Sequence, residues 1–166
     1  MTNAAPLPGE PADPPQGPED TVAFLLSKVG FAAAAGFAAA LEPLGLEPRH
    51  AGLLRLVLRH EGQSQHALGL ALGAAPSRIV ALIDDLEQRG LVERRLNPAD
   101  RRAREIHLTP AGHEAVAAIS AVGMEHERRL CGDLSPDERA TLHRLLRKVA
   151  ATLDVPLGIH PALRQE

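Results

Sequence analysis

Residues 75–109 read APSRIVALIDDLEQRGLVERRLNPADRRAREIHLT, which combines one amphipathic helix with a hairpin rich in arginine. Pro76 suits the first position of a helix, and Gly90 suits the left-handed residue that ends one. A helix from about Pro76 to Arg89 is therefore predicted. Its apolar face is formed by four residues at helical spacing: Ile79, Leu82, Ile83 and Leu86.

Beyond that helix the apolar pattern changes from a helical to an extended one. Two short strands are predicted, at Leu91–Val92 and Ile106–Leu108. The turn between them includes the polar run Asn97–Asp100. The sequence therefore predicts a β-hairpin whose tip is polar and basic.

Positive charge is concentrated in this hairpin. The segment from Arg89 to Arg104 has six arginines against Glu93 and Asp100, a local charge of 6 − 2 = +4 in a chain whose net charge is −3. A basic segment on an acidic chain indicates a local binding site for a polyanion, because proteins that coat nucleic acid indiscriminately are basic overall. The alternative is a solvated hairpin with scattered surface arginines.

Three separated motifs carry a resemblance to a known family: LEQRGLVER at 86–94, DRRA at 100–103 and LTPAG at 108–112. In this order and spacing they resemble the MarR family of winged helix-turn-helix regulators, over about Leu41 to Gly112. The resemblance implies a mainly α fold with a small β-hairpin, in which N- and C-terminal dimerisation helices flank a winged helix-turn-helix domain.

The segment before the Pro76 helix supplies the other half of a helix-turn-helix. Ser64 is placed to cap a short helix that runs to Leu72, and Gly73 provides the tight turn. The second helix of such a motif enters the major groove by its N-terminal residues. Ala75 offers that helix no side-chain acceptor, so its first N–H groups are free for a phosphate, or the helix simply starts weakly.

The flanking segments predict further helices. A broad apolar face predicts a helix at Thr21–Leu41, and Pro48 begins the next one, Arg49 to about Arg59, with Leu53, Leu54, Val57 and Leu58 buried. Thr109 and Ser135 are placed to cap two C-terminal helices. The last helix has an apolar stripe that needs a partner: Leu142, Leu145, Leu146, Val149 and Leu153.

These boundaries predict one domain over residues 21–153. Its DNA-binding unit is expected at 48–109 and its dimerisation helices at 21–45 and 110–153. The proline-rich residues 1–20 are expected to be a disordered tail, and residues 154–166 a C-terminal tail.

Composition and motifs exclude several classes of protein. No signal peptide is recognisable, and the apolar run Phe31–Leu41 is too short for a membrane span, so a cytoplasmic protein without a membrane partner is expected. The lone Cys131 is expected to be structural. No catalytic motif, phosphate loop or metal-ligand cluster is present, so we expect neither an enzyme nor a cofactor, and no metal site.

The candidate DNA contacts lie on the two helices and the hairpin. Ser77 and Arg78 are expected to contact bases or phosphates, and Gln65 the DNA backbone. Arg101 and Arg102 resemble the family's minor-groove residues, and Asp100 is expected to orient one of them. Three further arginines are expected to contact phosphates or to solubilise the strands: Arg94, Arg95 and Arg104.

The expected function is sequence-specific binding of double-stranded DNA as a transcriptional regulator, a homodimeric repressor on a palindromic operator. A protein-interaction module that has lost DNA binding is the alternative. The resemblance also implies a small aromatic or phenolic effector in a crevice beside the dimer helices. The residues expected there are Phe24, Phe31, His50, Leu53 and Arg55.

Overall fold

The computed structural model describes residues 17–97 and 104–155. A 3-10 turn at Pro18–Asp20 precedes the first helix, and another at Glu42–Leu44 follows it. The helices and strands are α1 Val22–Leu41, α2 Pro48–Arg59, α3 Gln65–Leu72, α4 Pro76–Gln88, β1 Val92–Leu96, β2 Arg104–Leu108, α5 Pro110–Cys131 and α6 Pro136–Thr152. The predicted architecture, mainly α with a small β-hairpin, is confirmed.

The chain divides into two compact units within α1, between Ala35 and Gly36. The first unit contains the Pro18–Asp20 turn and most of α1, which starts where the Thr21 hydroxyl accepts the Phe24 N–H at 3.2 Å. The second unit contains every later element. The candidate functional site lies in this second unit.

Local side-chain chemistry sets the helix starts in the second unit. The Ser64 hydroxyl accepts the Ala67 N–H at the start of α3, and the Thr109 hydroxyl accepts the Gly112 N–H at the start of α5. At α6 the Ser135 side chain takes part in a capping box. These predicted caps are confirmed, and they explain why the helices begin where they do.

The core of the second unit lies between α2, α3, α4, the hairpin and α5. Its fully buried large side chains include Leu53, Leu54, Leu68, Leu72, Ile79, Ile83, Leu86, Ile106 and Ile119. The prediction for Leu58 is wrong, because that side chain is 44% exposed. It lies one position beyond Val57, the last buried residue of α2, so it points away from the core.

The two strands are longer than predicted. They pair antiparallel from Val92 opposite Leu108 to Leu96 opposite Arg104. Gln63, in the turn before α3, also joins this sheet, because its carbonyl accepts the Ile106 N–H at 2.9 Å. The hairpin is therefore anchored to the helix-turn-helix along its base.

Large apolar side chains remain exposed on the outer helices. On α1, Val22, Val29 and Phe31 are 59–80% exposed. The segment Val22–Leu44 has the length and mean hydropathy, 1.8, of a membrane span. This corrects the shorter apolar run read from the sequence, although a helix that packs in a soluble assembly has the same composition.

The predicted stripe of α6 is present but unburied in the single chain. Its five members are between 37% and 67% exposed: Leu142, Leu145, Leu146, Val149 and Leu153. At the other end of the unit, the C-terminal end of α1 packs on α5, where the Phe37 and His126 rings lie 5.7 Å apart. The stripe of α6 has no comparable cover within the described residues.

Candidate nucleic-acid interface

Helices α3 and α4 form the predicted helix-turn-helix, with Gly73 in the left-handed conformation between them. Ser77 and Arg78 are exposed in the first turn of α4. Gln65, the first residue of α3, is half-buried and lines a groove of about 180 Å³ between the two helices. The structure thus brings these three candidate DNA contacts to the same pair of helices.

The start of α4 has no side-chain cap at Ala75, as predicted. Arg78 donates its N–H to the Ala75 carbonyl at 3.0 Å, and Pro76 has no N–H to donate. Among the described residues, this leaves the Ser77 N–H as the first-turn donor without a partner. The start of α4 therefore has fewer free N–H groups than the sequence indicated. The remaining one lies beside the exposed side chains of Ser77 and Arg78.

Arg94 of β1 joins the hairpin to α4. Its guanidinium binds Asp84 at 2.5 Å and also pairs with Glu87, and the Arg94 side chain is only 16% exposed. The Glu87 carboxylate additionally accepts the Arg94 backbone N–H. Arg94 is therefore held by α4, and its charge is directed at carboxylates rather than outward.

The pairing of other arginines further reduces the free positive charge of the hairpin. Arg95 binds Glu93 at 2.5 Å, and Arg89 binds Asp85 at 2.8 Å. The local charge of +4 was counted from Arg89 onward and therefore left out Asp84, Asp85 and Glu87. These three carboxylates reduce the positive charge that is free to bind a polyanion. Arg104 is exposed on β2.

The candidate minor-groove contacts lie between the two strands in the sequence. Asp100, Arg101 and Arg102 lie outside the described residues. The strands end at Leu96 and Arg104 on either side of them.

A tight contact holds the α4–β1 turn against the start of α5. Thr109 donates its hydroxyl to the Gly90 carbonyl at 2.6 Å and its N–H to the Leu91 carbonyl at 3.1 Å. A Cβ on Gly112 would lie 2.0 Å from that Leu91 oxygen. The glycine of the LTPAG motif therefore has a steric reason, because only glycine allows α5 to approach the α4–β1 turn this closely.

A buried histidine links α2 to α4. His50 is fully buried; its Nδ1 accepts the Glu47 N–H at 3.0 Å, and its Nε2 lies 2.8 Å from the Asp85 carboxylate. The Nε2–H bond is poorly aligned with that oxygen, so the contact is electrostatic more than a well-formed hydrogen bond. Asp85 also holds Arg89, which donates to the Gly45 carbonyl at 2.8 Å.

Burial lowers the pKa of His50, with Asp85 opposing the shift and Arg89 adding to it. The hydrogen bond from Arg89 lowers the pKa of Asp85, against a smaller desolvation effect. The favoured state of this cluster is therefore a neutral imidazole beside an ionised carboxylate and a guanidinium.

The candidate effector residues belong to both compact units. His50 and Leu53 are fully buried, so in the single chain their side chains have no surface to offer a ligand. Arg55 is half-buried and lies against Gly123 of α5. In the first unit, Phe24 and Phe31 are exposed, and Lys28 lies 5.5 Å above the Phe24 ring.

A cavity of about 700 Å³ opens elsewhere, between the start of α2 and α4. Its lining includes Arg49, Ser77, Arg78, Asp85 and Arg89. Of its three guanidinium groups, Arg49 pairs with Glu47 and Arg89 pairs with Asp85, so Arg78 is the lining arginine that most favours an anionic ligand. The residue set predicted for an effector overlooked this cavity.

Cys131 is half-buried at the end of α5, and it is the free cysteine of the chain. Its carbonyl accepts a hydrogen bond from Arg139 at 3.0 Å. No cluster of three potential metal ligands occurs in residues 17–97 and 104–155. The structural role expected for Cys131 stays a prediction.

Comparison with known proteins establishes the family. The sequence model described as the MarR family matches residues 44–103. The crystal structure of CouR from Rhodococcus jostii RHA1 bound to p-coumaroyl-CoA is 33% identical, with a TM-score of 0.66, covering 81% of this chain and 95% of that one. The chain belongs to the MarR family. Its helix-turn-helix and hairpin are accordingly those of a winged-helix, DNA-binding fold.

Two further relatives connect this MarR-family chain with gene regulation. A putative transcriptional regulatory protein for the hcr operon of Thauera aromatica is 36% identical over 105 residues, 63% of each chain. The present chain thus spans about three fifths of that regulator's length. A cysteine-to-serine mutant of Escherichia coli MarR, solved in complex with operator DNA, is 26% identical, with a TM-score of 0.66, covering 77% of this chain and 92% of that one.

Two structural features of the interface escaped the sequence interpretation. The pairing of Arg94 with Asp84 joins residues ten positions apart on different elements. The contact of His50 with Asp85 joins residues 35 positions apart, since 85 − 50 = 35. A run of acids directly before a run of arginines was the available signal for the first contact, whereas no local pattern pointed to the second.

Proposed function

We propose that this MarR-family chain is a sequence-specific DNA-binding transcriptional regulator. The observation that carries the proposal is the first turn of α4, where exposed Ser77 and Arg78 adjoin an N–H without a partner among the described residues. Those side chains reach bases or phosphates in the major groove, and Gln65 contacts the backbone. Arg101 and Arg102 enter the minor groove, one of them oriented by Asp100, and Arg104 contacts a phosphate.

The regulator works as a homodimer over one domain, residues 21–153. The unburied apolar faces around Val29 and Leu146 support this, because faces of that size are unstable in water unless a second surface covers them. Packing against a second copy suits α1 better than a membrane does, since the family is one of DNA-binding proteins. A two-fold dimer presents two α4 helices to an imperfectly palindromic operator.

Repression by promoter occlusion in the cytoplasm, without catalysis, is the mode of action. Escherichia coli MarR bound to operator DNA supports DNA binding by this fold. The second candidate is an interaction module that keeps the dimer but not DNA binding. The pairing of Arg89, Arg94 and Arg95 with carboxylates favours it, because these pairs remove positive charge from the DNA side.

An acidic aromatic compound is the effector. The cavity lined by Arg49, Arg78 and Arg89 supports an anionic ligand, and CouR bound to p-coumaroyl-CoA supports an aryl-CoA thioester. Ligand in this cavity covers Ser77 and Arg78, so it competes directly with DNA. We expect p-coumaroyl-CoA or a free phenolic acid to release the protein from its operator.

Selection from a random-sequence duplex library tests the proposal. Wild-type protein is expected to enrich a palindrome with half-sites about one helical turn apart. Arg78→Ala is expected to enrich a motif that is degenerate at one position in each half-site. A dimer that enriches no motif would establish the interaction module instead.

A further inference from the structure

We propose that His50 and Asp85 are positioning residues that set the orientation of the recognition helix α4, and that proton uptake by His50 releases it. The inference rests on the proposed function, because orientation is expressed as DNA affinity. His50 contacts no candidate DNA-binding residue among those the structure describes. It acts through Asp85, on the C-terminal half of α4, and through Arg89, which caps the C-terminal end of α4 one helical turn later.

The hydrogen bond at Nδ1 of His50 defines its tautomer. Because Nδ1 accepts the Glu47 N–H at 3.0 Å, it cannot carry a proton in this arrangement. A neutral ring must then be protonated at Nε2, which faces Asp85 at 2.8 Å. The same side chain therefore completes the capping box that starts α2 and places a donor beside α4.

A second connection closes this arrangement into a ring of contacts. Asp85 uses its other oxygen to bind Arg89, and Arg89 reaches the Gly45 carbonyl at the turn that leads to Glu47. The chain from Gly45 to His50 is thus attached to α4 at two points. Asp85 makes the first attachment and holds the arginine that makes the second, so this carboxylate contributes to both contacts between α4 and the start of α2.

Protonation of His50 is incompatible with these contacts. A second proton has to enter at Nδ1, where it opposes the Glu47 N–H, so the imidazolium must turn or leave its site. The start of α2 then loses its capping side chain. Asp85 also loses its fixed contact with the His50 ring. Recognition helix α4 consequently loses one of its two attachments.

The charged groups around His50 and its burial determine which protonation state is favoured at neutral pH. Asp85 on α4 and Glu47 favour the imidazolium, while Arg89 just after α4 and Arg49 on α2 disfavour it, and burial disfavours it most. The favoured state at neutral pH is therefore the neutral, positioning form. Acid converts it to the released form, which lowers DNA affinity.

A loss of DNA affinity in acid distinguishes this role, because protonation of exposed histidines would instead raise DNA affinity. The chain has eight histidines, and added positive charge strengthens binding to a phosphate backbone. A regulator without the positioning role therefore binds DNA more tightly as the pH falls. One with it binds more weakly, by up to about tenfold per pH unit for each proton taken up.

The experiment measures DNA affinity by fluorescence anisotropy from pH 8 to pH 5, on a duplex that wild-type protein enriches from a random library at pH 8. His50→Gln keeps a capping-box acceptor at this position but does not titrate. We expect wild-type affinity to fall in acid, and that of His50→Gln to stay constant or rise. His60→Gln, an exposed histidine at the end of the same helix, is the matched control and should follow wild type.

Asp85→Asn supplies a second, independent readout. Without the carboxylate that favours the imidazolium, the acid-induced loss of affinity should move to lower pH, while affinity at pH 8 is already reduced. Parallel pH profiles for wild type and His50→Gln, or an unmoved profile for Asp85→Asn, would overturn the positioning role. Failure to enrich any duplex would instead contradict the proposed function.

Discussion

At Gly112 the chain has no room for a side chain. A Cβ there would lie 2.0 Å from the Leu91 carbonyl oxygen, far inside van der Waals contact, so α5 or the α4–β1 turn must move. We expect Gly112→Ala to lower the free energy of unfolding by about 2–3 kcal/mol. Gly69→Ala is the matched control, because its Cβ would meet Ile79 at 3.4 Å, an ordinary contact.

Denaturant titration of both variants measures this difference. The control is expected to lie within about 1 kcal/mol of wild type, since alanine also favours the helix. Equal unfolding midpoints for Gly112→Ala and wild type would contradict the close contact.

His50 also makes the stability of the protein depend on pH. Burial lowers its pKa in the folded chain, whereas the unfolded chain has the usual value of about 6.5. The unfolded chain therefore binds more protons in acid, so the free energy of unfolding is at its plateau above about pH 6.5 and falls as the pH drops below it. The lowered pKa of Asp85 acts in the same direction, with loss below about pH 4.

Urea unfolding at a series of pH values checks this dependence. Wild type should lose stability from pH 7 to pH 5, and His50→Gln should lose less over the same range. If both curves have the same slope, burial of a neutral His50 is not the source of the acid sensitivity.

Local residue chemistry could be predicted from the sequence, but long-range pairing could not. Ser64, Thr109 and Ser135 cap helices because a hydroxyl is followed by free N–H groups a few positions later, which is visible in the sequence. The burial of His50 depends on Asp85 in another helix. Nothing in the residues next to His50 specifies that contact.

At the scale of elements, Arg94 determines how the hairpin sits on α4. We expect Arg94→Ala to weaken DNA binding several-fold by loosening the wing, which is the β1–β2 hairpin. It should also lower the free energy of unfolding by about 1 kcal/mol, because its carboxylate partners are partly screened by water. Arg94→Lys should not restore affinity, since lysine lacks the fork that binds Asp84 and Glu87 together.

Salt dependence distinguishes this bracing role from a phosphate contact. If Arg94 only braces the wing, Arg94→Ala leaves the slope of log affinity against log salt unchanged. A slope that decreases by about 1 for each protomer would show that Arg94 binds a phosphate, and would contradict the bracing role.

Elements were predictable where the apolar pattern lies between clear terminal residues, as in α4 from Pro76 to Gln88, which begins with a proline and is followed by the left-handed Gly90. The strands exceeded their predicted lengths because Arg94, Arg95 and Arg104 carry no apolar alternation. These arginines nevertheless lie in extended strands. Backbone pairing across the hairpin stabilises the strands, and the Glu93 carboxylate pairs with Arg95. A polar strand at an edge has little signature in sequence.

At the scale of the whole molecule, the exposed stripe of α6 requires a partner. We expect wild-type protein to be a homodimer with no folded monomer at micromolar concentration. Leu146→Glu, which places a charge in the stripe, should unfold or aggregate, whereas Lys148→Glu outside the stripe should leave the dimer intact. Sedimentation that reveals a compact, cooperative wild-type monomer would contradict the dimer.

The central claim is that the α4 helices read bases in the major groove while the wings bind the minor groove. It is tested most directly by titrating wild type, Arg78→Ala and the Arg101→Ala/Arg102→Ala double variant against the library-selected operator and its half-site and flank variants at several salt concentrations. With about six to eight phosphates neutralised, log affinity should fall with a slope of roughly −5 to −7 against log salt. Arg78→Ala should cost about 1–3 kcal/mol and relax preference at one position per half-site.

The double wing variant should instead bind every duplex more weakly, with the largest loss on flanks that have a narrow, A·T-rich minor groove. If this variant binds all duplexes as tightly as wild type, and Arg78→Ala keeps the wild-type preference, the helix and the hairpin do not read DNA. That result would contradict the account.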